Sequence, residues 1–173
     1  MQMNHRSVEE KDIESICGFP QNEDELFFSS PKSKFPLTPS QLLNAIAQRS
    51  DSTVVEYNGD VVAFANFYQW ESRGRCSIGN VIVSSAARGK GVGRYLIEQM
   101  IDLAFSKHKA MEVTVSCFNR NIAGLLFYPK LGFQPFAVEE RQDKKGNRIA
   151  LIHMRLLSRN LIKKVPFIPS LMR

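Results

Sequence analysis

The residues best placed to do chemistry lie between Ile78 and Gly93, in the stretch Ile-Gly-Asn-Val-Ile-Val-Ser-Ser-Ala-Ala-Arg-Gly-Lys-Gly-Val-Gly. A β-branched run ends at Val83, and apolar residues at Val92, Leu96, Ile97, Met100 and Ala104 then follow a helical rhythm. Arg88, Gly89, Lys90, Gly91 and Gly93 therefore fill a tight turn from strand to helix. Glycine has no Cβ to hold a ligand away from the backbone. The first N–H groups of a helix lack intrahelical acceptors, and the helix dipole favours an anion beside them. With Arg88 and Lys90 adjacent, the turn suits a phosphate group. A Walker A loop, Gly-x-x-x-x-Gly-Lys-Ser/Thr, is not present. A dinucleotide fingerprint needs Gly-x-Gly-x-x-Gly, whereas the chain offers Gly89-x-Gly91-x-Gly93. What fits in full is Arg-x-x-Gly-x-Gly, at Arg88, Gly91 and Gly93, behind a strand end at Val81 and Val83.

Other groups are fewer. Tyr128 carries a phenol able to donate a proton. Ser116 and Cys117 end a strand-like stretch that begins at Met111. The cysteines, Cys17, Cys76 and Cys117, are odd in number and unclustered, so neither a disulfide framework nor a metal site is expected. Cys117 is a competing nucleophile, but no histidine sits in a motif to activate it.

The elements that must position these groups follow from composition and pattern. A chain of 173 residues, 43% hydrophobic and 23% charged, reads as one globular domain over 1–157. A basic tail is expected over 158–173. No apolar run is long enough for a membrane span, and Met-Gln-Met-Asn-His-Arg lacks a signal-peptide core, so a cytoplasmic location is expected. The formal charge of +6 is dispersed and has no nucleic-acid motif beside it. A polyanionic cofactor is the expected beneficiary.

Residues 3–8 read as a strand, and Asp12 as the cap of a short helix ended by Gly18 and Pro20. The segment Phe19–Pro39, with four prolines, is irregular: it reads either as a lid whose acids Glu23, Asp24 and Glu25 suit a cationic acceptor or as a packed surface loop anchored by its phenylalanines. Thr38-Pro-Ser-Gln opens a helix. Strands over Thr53–Tyr57 and Val61–Trp70 flank the hairpin signal Asn58-Gly59, and a third runs from Arg75 to Val83. Gly79 marks a possible bulge in it. After the helix from Gly91 to Lys107, the strand Met111–Cys117 should lie parallel to Arg75–Val83. A helix from Asn119 or Asn121 to Leu131 is ended by Gly132, with Pro129 kinking it beside Tyr128. Strands over Phe133–Arg141 and Ile149–Leu156 close the series.

The glycine loop, the strand–helix order and a second pattern, Asn121 with Tyr128 and Leu131-Gly132-Phe133, together resemble the GNAT superfamily of N-acetyltransferases over nearly the whole chain. The resemblance implies an α/β (α+β) fold with a mixed central sheet of about seven strands, splayed fourth and fifth strands, and four helices. It implies acetyl-CoA as cofactor. Val81, Ile82 and Val83 would hydrogen-bond the pantetheine arm, and the amides from Arg88 through Gly89, Lys90, Gly91, Val92 and Gly93 would hold the pyrophosphate. Asn119 and Asn121 would cap the following helix and touch the pantetheine. Tyr128 would serve as general acid; from its place at the tip of the parting strand, Ser116 would order a water that removes the amine's proton, with Glu71 the weaker alternative. Many relatives place Glu where this chain has Gly79, so the base is not identified by the resemblance.

For the acceptor, Gly18-Phe-Pro-Gln, Asp24-Glu-Leu-Phe and Ala65-Asn-Phe-Tyr-Gln-Trp resemble a bacterial GNAT branch that acetylates C-terminal lysines of peptides. That branch would place Phe27, Phe28, Asn66, Tyr68, Gln69 and Trp70 around the acceptor, with Arg75 on the peptide carboxylate. A small-molecule amine (an antibiotic or polyamine) and a catalytically weak CoA-binding module remain the other readings. No nucleic-acid or membrane partner is expected, and the chain is expected to be a monomer or homodimer.

Overall fold

Asn58 and Gly59 both take positive φ, 52° and 92°, the backbone a two-residue hairpin demands. They join β2 (Ser50–Tyr57) to β3 (Asp60–Trp70) in a computed structural model that describes residues 2–159. β1 (Met3–Ser7) lies antiparallel to β2, and β4 (Arg75–Val83) antiparallel to β3. β5 (Glu112–Phe118) is parallel to β4, and β7 (Arg148–Leu157) is antiparallel to β5. β6 (Gln134–Gln142) forms the far edge. The mixed sheet has seven strands, as the resemblance implied, in the order β1-β2-β3-β4-β5-β7-β6. The segment expected as a tail lies, beyond Arg159, outside the described residues.

Helices cover both faces of the sheet. On one, α1 (Ile13–Cys17) and α3 (Pro39–Ala47) bury Ile16 and Leu42 against Val54, Phe64 and Ile82. On the other, α4 (Val92–Ser106) sets Leu96, Ile97 and Met100 against Val55, Phe67, Val113 and Val115. α5 (Ile122–Lys130) packs beside it through Tyr128. Among the described residues there are five α-helices where four were expected. The extra one is α2 (Glu23–Ser29), inside the segment read as irregular. Asn22 Oδ1 accepts from Glu25 N–H and caps it, and three acids fill its first turn. With Leu26 its one buried residue, it has too few apolar positions to show a period.

Asp12 stands at the N-cap position of α1, as expected, but makes no side-chain hydrogen bond into that helix. Its carboxylate instead accepts from Glu9 N–H at 2.8 Å, closing a capping box across the 3-10 turn (Glu10–Asp12) ahead of α1. Asp12 is buried and accepts two hydrogen bonds from Arg6, at 2.7 and 2.9 Å. Pro129 falls in the last turn of α5, where tightened bonds such as Leu131 N–H to Tyr128 O end the helix. The proline closes α5 rather than kinking it midway.

Two features of the central strands decide where a ligand can enter. β4 and β5 pair only at Arg75–Glu112, Cys76–Val113 and Ser77–Thr114. Beyond that, β4 stays with β3 as far as Val83, while β5 stays with β7 as far as Phe118. The two strands part, leaving backbone groups on facing edges in need of partners. A bulge accompanies the parting. Phe64 pairs with Ile82 and Asn66 with Gly79, so Asn80 and Val81 oppose Ala65 alone. The bulge expected near Gly79 is thus present, with the positive φ (51°) at Asn80.

α5 depends on a close approach. A Cβ on Gly124 would stand 2.7 Å from Cys117 Sγ and 2.8 Å from Nδ2 of the capping Asn121. Gly124→Ala is expected to lower stability by about 1–2 kcal/mol despite alanine's better helix propensity, because overpacking outweighs it. Urea unfolding checks this, and unchanged stability would show that α5 shifts freely.

Candidate active site

The glycine loop takes the form its sequence suggested. Gly89 and Gly91 have φ of 73° and 79°, backbone that side-chain-bearing residues rarely adopt. Gly91 is the N-terminal cap of α4, and no side chain caps the helix's first amides. Gly93 has an ordinary φ, and its added Cβ would meet only Phe127 and Val83 at normal contact distance. The two bases of the loop are engaged: Arg88 donates to both oxygens of Glu25, each at 2.9 Å, and Lys90 Nζ stands 5.7 Å from the centre of the Tyr57 ring. The guanidinium holds the Glu25 carboxyl below the usual carboxylate range. Glu25 therefore does not stand ready for a cationic acceptor; it straps α2 to the loop.

α2 lies over the parting strands. Phe27 stacks on Phe118, at the tip of β5, with centroids 4.6 Å apart, and Phe28 joins the same cluster. At its end, Ser29 O accepts from Asn80 Nδ2. Both phenylalanines proposed for the acceptor thus serve first as anchors of a short cover. A pocket of about 300 Å³, counting solvent at its mouth, opens alongside between Ser29, Leu42, Phe64, Asn80 and Ile82.

On the α2 side of the sheet, the chain places Asn66, Tyr68, Gln69, Ser77, Gly79, Thr114 and Ser116 together. Asn66 is fully buried, accepts from Arg49 Nη1 at 3.1 Å and donates to Asn80 Oδ1 at 3.0 Å. It holds the bulge, and its surface is closed to an acceptor. Gln69 accepts from Ser77 and donates to Glu71. Trp70 pairs with Cys76, and directly opposed residues share a face, so it points to the other side. Arg75 sits at the closed end of the β4–β5 pair, bonded to Glu112 at 2.6 Å and 5.5 Å from the Phe136 ring. The structure does not bring Trp70 or Arg75 to the opening.

Three residues near the opening escaped the sequence reading. Arg49 lies where a carboxylate at position 79 would have been: a Cβ on Gly79 would come within 2.6 Å of its Nη1 and 2.7 Å of the Tyr68 ring. Its guanidinium is 5.5 Å from the centre of that ring. Among the described residues no carboxylate pairs with it, and burial lowers its pKa. His153 and Glu139 are the others: Ser116 Oγ is 2.7 Å from His153 Nδ1, and His153 Nε2 is 3.0 Å from Glu139 Oε2. Tyr68 OH is 3.4 Å from the same Ser116 oxygen. These residues are far apart in the chain, and only strand register joins them.

Tyr128 approaches from the opposite face, buried between Phe127 and Phe133 and close to Cys117. Its hydroxyl has no hydrogen-bond partner among the described residues. Burial, and then the Cys117 sulfur, push its pKa up, so it stays protonated at neutral pH. Asn121 caps α5 by accepting from Gly124 N–H. Asn119 does not cap; its Oδ1 accepts from Ala150 N–H and prolongs the β5–β7 ladder.

A parted parallel strand pair ending at a glycine-rich helix start defines a class of fold that binds an extended, phosphate-bearing cofactor between two strands. The sequence model of the acetyltransferase (GNAT) family matches residues 19–133, and the chain belongs to that family. It is 32% identical over 100 residues to the uncharacterized protein YkzC of Bacillus subtilis (strain 168), covering 57% of this chain and 68% of that one. It is 27% identical over 84 residues to a spermine/spermidine N(1)-acetyltransferase of the same organism. That match covers 45% of this chain and about half (55%) of the relative. The solved structure of yncA from Salmonella typhimurium, with its cofactor acetyl-CoA, superposes with a TM-score of 0.72. It is 24% identical and covers 91% of this chain and 94% of its own. No helix among the described residues is long and apolar enough to cross a membrane.

Burial raises the pKa of both Cys76 and Cys117 to about 11. Both thiols should therefore resist alkylation in the native protein at pH 8 and react once it is unfolded. Mass spectrometry after a timed iodoacetamide pulse reads this directly; rapid native labelling of Cys117 would restore it as a nucleophile.

Proposed function

We propose that this acetyltransferase moves the acetyl group of acetyl-CoA to a primary amine by direct attack in a ternary complex. The favoured acceptor is the side-chain amine of a peptide's C-terminal lysine. The observation that carries the reading is the separation of β4 from β5 after Ser77–Thr114, directly ahead of the glycine loop. Acetyl-CoA supplies an activated thioester with a long hydrogen-bonding arm and a pyrophosphate. Backbone from Val81 to Val83 would hold the arm, and amides from Arg88 to Gly93 the pyrophosphate. Positive φ at Gly89 and Gly91 aims that turn without side chains in the way. Arg88 would have to exchange Glu25 for phosphate, which frees α2 at its first turn.

Tyr128 and Ser116 lie on opposite faces of the sheet. On this reading the two proton tasks are divided between them, the phenol serving the leaving sulfur and the hydroxyl the incoming amine. With its pKa raised, Tyr128 is a weak acid, so it stabilises charge growing on sulfur by donating a hydrogen bond as the bond breaks. Its hydroxyl has no competing partner to give up.

For the acceptor, Arg49 supports a carboxylate-bearing amine. A half-buried guanidinium without an acid partner attracts an anion and repels a polyamine. It takes the part that the sequence resemblance gave to Arg75, which is occupied by Glu112. The spermine/spermidine relative supports the other reading, a polyamine acceptor. Thiol release from acetyl-CoA should be screened against lysine-ended peptides with free and amidated C-termini, polyamines and aminoglycosides. A free carboxylate is expected to raise kcat/KM about tenfold or more, a gain that Arg49→Met removes through KM. Preference for spermidine over every peptide would overturn the acceptor assignment. Thiol release with no amine tested, against tight CoA binding, would favour the binding-module reading. Tyr128→Phe is expected to lower kcat about 100-fold while calorimetric CoA affinity stays within about twofold; an unchanged kcat would remove the phenol from the acid role.

A further inference from the structure

The proposed reaction leaves one requirement unmet. An alkyl ammonium with a pKa near 10.4 is almost wholly protonated at neutral pH, so the acceptor must lose a proton before it attacks. The position where relatives carry a carboxylate is Gly79, and the group nearest to it is the cation Arg49, which cannot act as a base. The Asn66–Asn80 pair contributes no base either. At the α2-side edge of the gap, however, three side chains from three different strands form a line: Ser116 on β5, His153 on β7 and Glu139 on β6.

The order of donors along this line is set by its outer end. The His153 and Arg141 contacts keep the Glu139 carboxyl below its usual range, so it is ionised and can only accept. His153 must then carry its proton on Nε2, 3.0 Å from Glu139 Oε2. Nδ1 is left as an acceptor, and Ser116 donates to it across 2.7 Å. This is the logic of a hydroxyl–imidazole–carboxylate triad, recognised by geometry and roles rather than chain order. The register pair Ser116–His153, in the middle of the β5–β7 ladder, fixes the first contact. The second comes from the neighbouring edge strand, where Ala137 pairs with His153 and Val138 with Ile152. The other side chains around the imidazole are Tyr68 on β3, which reaches Ser116, and Phe136 on β6, with a ring centroid 6.1 Å away. Arg75 and Arg155 lie on that phenylalanine rather than on the imidazole, and Arg141 is held by Glu139.

We propose that His153, oriented by Glu139, is the proton acceptor of the acetyl-transfer reaction and works through the hydroxyl of Ser116. The inference rests on the acetyl-transfer reading above. In the step itself, one N–H bond of the acceptor ammonium breaks and its proton bonds to Ser116 Oγ. The proton that Oγ held passes to His153 Nδ1. The products are a neutral amine, an unchanged serine and an imidazolium facing the Glu139 carboxylate. The imidazolium returns its proton to solvent from the half-exposed β7 surface before the next turnover. No covalent bond to the protein forms, and no oxidant or further reactant is needed.

The first measurement needs no acceptor. Long-range ¹H–¹⁵N spectra of the labelled full chain at pH 8 report which ring nitrogen of each histidine carries hydrogen, and His153→Gln identifies the signal to be read. The Nε2–H tautomer is expected for His153; the Nδ1–H tautomer would overturn the relay. Glu139→Gln is expected to leave the protein folded, since β6 is exposed along its length, and to yield a mixture of tautomers. The second measurement is the pH profile of kcat/KM for the best amine. His153→Gln and Ser116→Ala should each lower kcat/KM about 100-fold at pH 8 and displace the acidic limb, with calorimetric CoA affinity unchanged. Wild-type rate and an unmoved limb in His153→Gln would sink the proposal. Absence of turnover by the wild type with every amine overturns the acetyl-transfer reading instead, a result distinct from a wrong tautomer.

Discussion

The site depends on a pairing that stops early. Had β4 and β5 continued beyond Ser77–Thr114, the sheet would be closed and no ligand could enter between strands. Each strand remains held by its other neighbour, β4 by β3 and β5 by β7, so the gap has two stable walls. The bulge at Asn80 and Val81 belongs to the same device. One extra residue turns the end of β4, and the Asn66–Asn80 hydrogen bond fixes that turn from inside the core. A cofactor bound as the missing strand would satisfy backbone groups that water satisfies otherwise.

Around the gap, the charges are arranged differently from those of a GNAT enzyme with a carboxylate in β4. Gly79 vacates that position, and Arg49 fills the space, stacked near Tyr68 and bonded to Asn66. A glutamate placed there would collide with the guanidinium unless both moved. The space beside β4 thus holds a half-buried cation rather than an acid. The Ser116–His153–Glu139 line on the other wall supplies the only imidazole within reach of the opening among the described residues. On the proposed reading, acceptor attraction near β3 would be separate from proton removal near β7.

Local rules accounted for much of the fold. The Asn58-Gly59 hairpin, the strand Arg75–Val83 and the helix after Gly91 all fall close to where turn chemistry and periodicity put them. Errors arose where a short-range signal was weak or ambiguous. α2 has one buried residue, so its cap at Asn22 was its only strong mark. Asp12 holds the cap position it was given, but its carboxylate binds Glu9 N–H and Arg6 rather than the amides of α1. Asn119 and Asn121 are equally plausible caps by type, and the β5–β7 ladder claims the first.

What the sequence by itself determined was therefore the backbone chemistry: a glycine turn with positive φ, a helix start behind it, and a family pattern that names the cofactor. Those properties live in adjacent residues and survive without knowledge of any partner strand. Tertiary structure alone decided which side chains meet. Register brings His153 opposite Ser116, the register shift between Phe67 and Gln69 on β3 sends Trp70 to the far face, and Glu112 occupies Arg75. One residue of slip would exchange the faces of a strand, and nothing local to His153 or Arg49 specifies that register.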